Sequence, residues 1–228
     1  MRLHTVRNGT GPALVFVHGL GKSASTWSAV ADALADRFTT VAVDLPGHGE
    51  SPHPDDPAAY TRDAALDGID GVLADLSDLD PLGAPILVGH SLGGYLALAH
   101  GATRPGVARG LVVLNTGPGY RDPEKREAWN ERSRRNAHRF GVSEIAAGLN
   151  LQHDAVVMER LAEMAVPTLF LAGGDDRAEY QSAGQYLERK MPDARLAVLD
   201  GGGHSMHEDT HAGVVADEIA RFADAIES

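Results

Sequence analysis

Residues 89–93 read Gly-His-Ser-Leu-Gly, so that Ser91 stands between glycines two positions before and two positions after it. Serine ahead of a helix has an everyday role, in which its hydroxyl accepts a backbone N–H as a cap. A second role arises where the chain turns sharply from a strand into a helix. There the turn strains the serine and exposes its hydroxyl, and strand and helix come so close that the flanking positions, here Gly89 and Gly93, must lack side chains. Such a serine can be a nucleophile if a base and an acid lie within reach. Three more stretches supply these groups. His204 follows three glycines at 201–203, and Asp175 and Asp176 follow Gly173 and Gly174. Leu20 lies in a Gly-rich turn after the apolar run 13–17. Its backbone N–H, with that of Leu92 at the positive end of a helix, would give a developing oxyanion two donors. His18, beside that turn, is read as structural.

The elements that must hold these groups follow from periodicity. Short runs rich in Val, Leu and Ile at 3–6, 13–18, 39–44, 85–90, 109–114, 168–173 and 194–200 predict strands, and segments of helical period at 25–34, 61–76, 92–103, 178–190 and 212–225 predict helices. Unbroken apolar runs such as ALVFV and GLVVL suit strands covered on both faces. The expected fold is therefore α/β, a doubly wound and mostly parallel sheet with helices on both faces. In the last helix Val214, Val215, Ile219, Phe222 and Ile226 recur at three- and four-residue spacing, one face for the sheet. The turn 18–21, Ser91, the aspartate pair and His204 all follow strands, so all would gather at the carboxyl edge of the sheet, where open α/β sheets bind ligands. A polar helical stretch at 117–166 breaks the rhythm. It is expected to be a short lid inserted into one domain spanning 1–228.

Taken together, HGLG at 18–21, DLPGHGES at 44–51, GHSLGG at 89–94, GGDD at 173–176 and GGGH at 201–204 resemble the α/β-hydrolase family over nearly the whole chain. The order serine, acid, histidine is also that family's order. The resemblance implies a triad of Ser91 as nucleophile, His204 as general base and acid, and Asp176 as the acid, with Asp175 the alternative. Some relatives draw the acid from the preceding strand end instead, where this chain has the uncharged Asn115. The serine excludes the Asp nucleophile of related dehalogenases and epoxide hydrolases. A short N-terminus that lacks the first strand and a lid of about 50 residues depart from the pattern. The implied activity is a serine-dependent hydrolase of a carboxylic ester or related acyl bond. A lactonase, thioesterase or C–C bond hydrolase on the same triad, or a small-molecule receptor with slow turnover, stay open.

Twenty basic against 32 acidic residues give a net charge of −12, which repels nucleic acid and anionic membranes alike. There is no cysteine, and no signal-peptide or membrane-spanning run stands out, so the expected setting is the cytoplasm and the expected partner a small ester-like molecule. His204, His207 and His211 are spaced like metal ligands but lack a helical H-E-x-x-H signature, so no metal is expected, and no cofactor loop is visible. Residues 121–139 carry seven basic and four acidic side chains. That run reads first as a solvated helix and second as an attraction for an acidic substrate. Trp129 and Phe140, eleven apart, would share one helical face and seat the lid over the pocket. Trp27 either lines the pocket or joins the core.

Overall fold

A computed structural model describes residues 1–77, 82–208 and 210–227. The apolar runs form β1 (Thr5–Asn8), β2 (Ala13–Val17), β3 (Thr39–Val43), β4 (Ile86–His90), β5 (Gly110–Leu114), β6 (Thr168–Gly173) and β7 (Ala194–Leu199). They pair in the order β1-β3-β2-β4-β5-β6-β7, with β1 antiparallel to β3 and every other pair parallel. The strands from β2 through β6 are buried along their whole length, whereas the edge strand β1 is exposed throughout and the edge strand β7 is mostly half-buried or exposed.

Side chains alternate across the sheet, and the two faces carry separate apolar cores. In β2, Val15 and Val17 face one core while Leu14 and Phe16 face the other. α1 (Ser28–Leu34) and α7 (Ala212–Glu227) cover the second face; α2 (Arg62–Ser77), α3 (Leu92–Thr103) and α6 (Ala178–Lys190) cover the first. In α7 the buried stripe runs through Val215, Ile219 and Phe222, while Val214 is exposed, because neighbouring residues on a helix point about 100° apart. A 3-10 turn over Ala24–Trp27 precedes α1, and there the Asp44 carboxylate accepts the N–H of Ala24 at 2.6 Å.

Between β5 and β6 lie α4 (Pro123–Asn136), 3-10 turns at Ala137–Phe140 and Ala146–Asn150, the short α5 (Val156–Arg160) and a third 3-10 turn at Leu161–Glu163. Asp122 starts α4 by accepting from the N–H groups of Glu124 and Lys125, with Pro123 in the first turn. Ala146, Leu149, Val157 and Met164 anchor the insert in the first core. The helix stops at Asn136, so Trp129 and Phe140 do not share one continuous helical face as expected; the tighter 3-10 turn rotates Phe140 away from the α-helical period. Among the described residues no helix is long and apolar enough to cross a membrane.

Candidate active site

Ser91 joins β4 to α3 with φ 52° and ψ −111°, in a region where few residues other than glycine are found. It sits at the helix start but its side chain makes no capping hydrogen bond. The conformation is imposed by its surroundings, because the Ser91 N–H is bound to the Leu114 carbonyl at 2.9 Å. The two glycines are required by contact. A Cβ at Gly89 would fall 2.2 Å from the Gly93 carbonyl oxygen, and one at Gly93 would fall 2.2 Å from that of Val17.

Next to Ser91 runs the turn after β2. A Cβ at Gly19 would lie 3.4 Å from the Ser91 Cβ, and both Leu20 and Leu92 line the cavity that Ser91 faces. Two histidines hold this turn. His18 donates from Nδ1 to the Gly19 carbonyl at 2.7 Å and accepts the Leu45 N–H on Nε2 at 3.0 Å. His48 donates from Nδ1 to the Pro46 carbonyl at 2.9 Å and accepts the Gly21 N–H on Nε2 at 3.1 Å. Both rings are therefore neutral with the proton on Nδ1. Burial presses His18 down to about 4 and also lowers His48. His18 is thus structural, whereas His48 is a partner that sequence patterns alone do not single out, its one signal being its place inside the Gly-His-Gly turn 47–49.

His204 lies in the loop after β7 and donates from Nδ1 to Asp176 Oδ2 at 2.7 Å. Its Nε2 is left as an acceptor. The Asp176 side chain is 5% exposed, and its other oxygen accepts the Arg177 N–H at 2.7 Å. Asp175 points outward while its N–H binds the Gly202 carbonyl at 2.9 Å, so Asp176 alone of the pair meets His204. β6 and the histidine loop approach so closely that a Cβ at Gly173 would fall 2.3 Å from the Gly202 carbonyl oxygen.

Two residues the sequence reading did not use hold His204 from behind. Asn115, buried and at φ 48°, donates to the carbonyls of Gly203 at 3.1 Å and His204 at 2.8 Å and accepts the Gly173 N–H at 2.8 Å. One amide thus clamps the loops that carry Asp176 and His204. His90 donates from Nε2 to the His204 carbonyl at 2.8 Å, and burial, with His207 and His204 nearby, pushes it well below the usual imidazole range. The three spaced histidines diverge. His204 pairs with Asp176, His207 packs between the rings of Trp27 and His90 at 4.3 Å each, and His211 Nε2 meets the Asp200 carbonyl at 3.1 Å. Among the described residues no group of three or more His, Asp or Glu is arranged to hold a metal ion.

Ser91, Asp176 and His204 all line a cavity of about 590 Å³. Tyr95 and Tyr180 form its core-side walls, with the Tyr180 ring stacked on His204 at 5.1 Å. The insert supplies a further wall through Tyr120, Trp129, Arg132, Ser133, Asn136, Phe140, Asn150 and Gln152. Trp129 donates from Nε1 to the Asn150 carbonyl at 2.9 Å, and Asn130 exchanges two hydrogen bonds with the Gln152 backbone, at 2.9 and 2.8 Å. Arg62 of α2 grips Asp154 with both terminal nitrogens, at 2.6 and 3.0 Å, tying the insert to the body. Phe140 lies over the turn after β2, its carbonyl oxygen only 2.1 Å from where a Gly21 Cβ would stand. Trp27, placed at the pocket as one expectation, is absent from these walls. It is fully buried on the opposite face of the sheet against Phe16, because a 3-10 turn and α1 carry it into the second core.

A family model described as "Alpha/beta hydrolase family" matches residues 14–218. A pimeloyl-[acyl-carrier protein] methyl ester esterase of Nitrosomonas europaea is 25% identical over 244 residues, covering 89% of this chain and 92% of that protein. A 2-(acetamidomethylene)succinate hydrolase of Mesorhizobium japonicum is 25% identical over 263 residues, covering 98% of this chain and 92% of its own length. Among solved structures, MenH from S. aureus superposes with a TM-score of 0.84 at 19% identity and covers 99% of both chains, a likeness of fold.

Proposed function

The chain belongs to the alpha/beta hydrolase family and is a hydrolase acting on ester or related bonds, and we propose that it cleaves a small carboxylic ester through an acyl-enzyme on Ser91. The observation that carries this reading is the strained, uncapped Ser91 sharing one cavity with a His204 whose Nδ1 is committed to Asp176. His204 Nε2 takes the Ser91 proton as Oγ attacks the ester carbonyl. The N–H groups of Leu20 and Leu92 receive the oxyanion, each contributing roughly 3 kcal/mol to the transition state. His204 then returns the proton to the leaving alcohol, and a water, activated by the same nitrogen, releases the acid and restores Ser91. Asp176 keeps the imidazole in the tautomer that accepts on Nε2 and stabilises its cation. The insert over 117–166 acts as a lid that shields the acyl-enzyme, with Trp129 in its inner wall.

Reaction with a fluorophosphonate probe tests the assignment, since only an activated serine attacks that phosphorus centre at neutral pH. Peptide mapping is expected to place the label on Ser91 alone and to find none in Ser91→Ala. A label elsewhere, or none on folded protein, refutes the nucleophile. Labelling of Ser91 without multiple turnover on any of a graded panel of esters would point to a receptor.

A further inference from the structure

We propose that the inner wall of the insert is a carboxylate subsite, where Arg132, Ser133 and Asn136 receive an acid group carried on the acyl part of the substrate. The bond cleaved rests on the reading of Ser91 above; the subsite itself does not.

The basic run 121–139 separates by direction once α4 is formed. Residues Trp129, Arg132, Ser133 and Asn136, spaced i, i+3, i+4 and i+7, all line the cavity and so form one helical face. Of the seven basic residues in that run, Arg132 alone lines it. Arg121 is bound to the Met158 carbonyl, Arg126 to those of Tyr120 and Arg121, and Arg134 to Glu127.

The charges around the cavity leave Arg132 in surplus. Lys22 is paired with Glu208 at 3.1 Å and Asp176 with His204, while Arg177, just before α6, and Glu179, in its first turn, add one charge of each sign to the rim and cancel in the sum. Arg132 has no carboxylate partner among the described residues. Its guanidinium instead lies 5.0 Å from the centre of the Trp129 ring, and that ring is held by its own hydrogen bond to Asn150. The ring face holds the guanidinium beside it without using its N–H groups, which stay available to a ligand.

The neighbours are donors too. Ser133 Oγ accepts the Asn150 amide at 3.0 Å, which leaves the Ser133 O–H to donate, and the Asn136 amide stands one turn beyond Arg132. A planar cation beside a hydroxyl and an amide matches a carboxylate, which can take two parallel bonds from the guanidinium. An ammonium group would meet repulsion there, and a plain methyl would leave the donors unmatched. The substrate class is thus the monoester of a short dicarboxylic acid.

Glutarate is the probe for binding and monoethyl glutarate for turnover, against ethyl valerate, in which a methyl replaces the carboxylate. By calorimetry, Ser91→Ala protein is expected to bind glutarate at least tenfold more tightly than Ser91→Ala/Arg132→Gln, the scale of a charged hydrogen bond. Ser91→Ala/Arg135→Gln, the same charge removed from a position that does not line the cavity, should match the parent. In the active protein the kcat/KM ratio of monoethyl glutarate to ethyl valerate should exceed ten, chiefly through KM. It should fall toward one in Arg132→Gln and recover in part in Arg132→Lys. Equal glutarate affinity in all three binding variants, or a ratio of one or less in the unmutated protein, overturns the subsite. Glutarate binding through Arg132 without turnover of either ester would keep the subsite and refute the ester-cleaving reading.

Discussion

Replacing Gly93 with alanine drives a methyl group into the end of β2. The new Cβ would stand 2.2 Å from the Val17 oxygen, 2.6 Å from the Val17 carbonyl carbon and 2.8 Å from the His18 oxygen, all backbone atoms that cannot rotate aside. Recovering ordinary contact at about 3.5 Å requires β2 and the start of α3 to part by roughly 1 Å. Overpacking of this kind costs about 1–3 kcal/mol, and with no flexible neighbour the upper end applies. The melting temperature should then fall by roughly 6–12 °C. Activity should suffer more, by about 100-fold in kcat, because the same separation pulls the turn bearing Leu20 away from Ser91. Gly71 is the control. It lies exposed inside α2 with nothing within 4 Å of a Cβ, so Gly71→Ala should stabilise by about 0.5–1 kcal/mol through helix propensity. Urea unfolding followed by circular dichroism, with the m-value unchanged, reads both numbers. A Gly93→Ala protein within about 0.5 kcal/mol of the parent, or no opposite sign between the two variants, would refute the argument from space.

Asp176→Asn should leave the fold intact and lower kcat by about 10³–10⁴, through loss of the imidazole tautomer, while Asp175→Asn stays within a few-fold; steady-state kinetics on one short ester separates them, and a reversed order refutes the pairing. Because burial holds His18 at about 4, below the unfolded value of 6.5, the unfolded chain binds that proton more readily between these pH values. The stability His18 contributes is therefore full above pH 6.5 and declines as pH falls toward 4, by on the order of 3 kcal/mol, which urea midpoints at a series of pH values measure. NMR should find its ring neutral and Nδ1-protonated at pH 5, and a ring titrating near 6.5 would contradict this. With a cavity of about 590 Å³ roofed by the insert, p-nitrophenyl esters of roughly two to six acyl carbons should show higher kcat/KM than long ones. A series peaking at twelve carbons or more would overturn that expectation.

What was legible in the sequence is what neighbouring residues impose on one another. The apolar runs that became β2 through β6 were readable because a strand covered on both faces needs no polar alternation. The Ser91 turn was readable because its demands, a strained serine and bare positions two residues either side, lie within five residues of chain. Choices that depend on contacts between distant segments were not. Asp175 and Asp176 differ by one step in sequence, and only the approach of the loop after β7 to β6 turns the second toward His204. Asn115 reached the sequence reading as an uncharged residue at an unused acid position. Its role as the clamp on His204 spans 89 residues and exists only when β5 and β6 lie side by side. For Trp27 the sequence left pocket and core equally open: a large aromatic near the Gly-rich turn carries no sign of which sheet face will receive it, and a 3-10 turn sent it to the far core. In the basic run 121–139 composition spoke only of a charged helix. Which charge meets the cavity was decided by the face that α4 turns toward it, since rotation about a helix axis changes every side chain's neighbour while leaving the sequence pattern untouched.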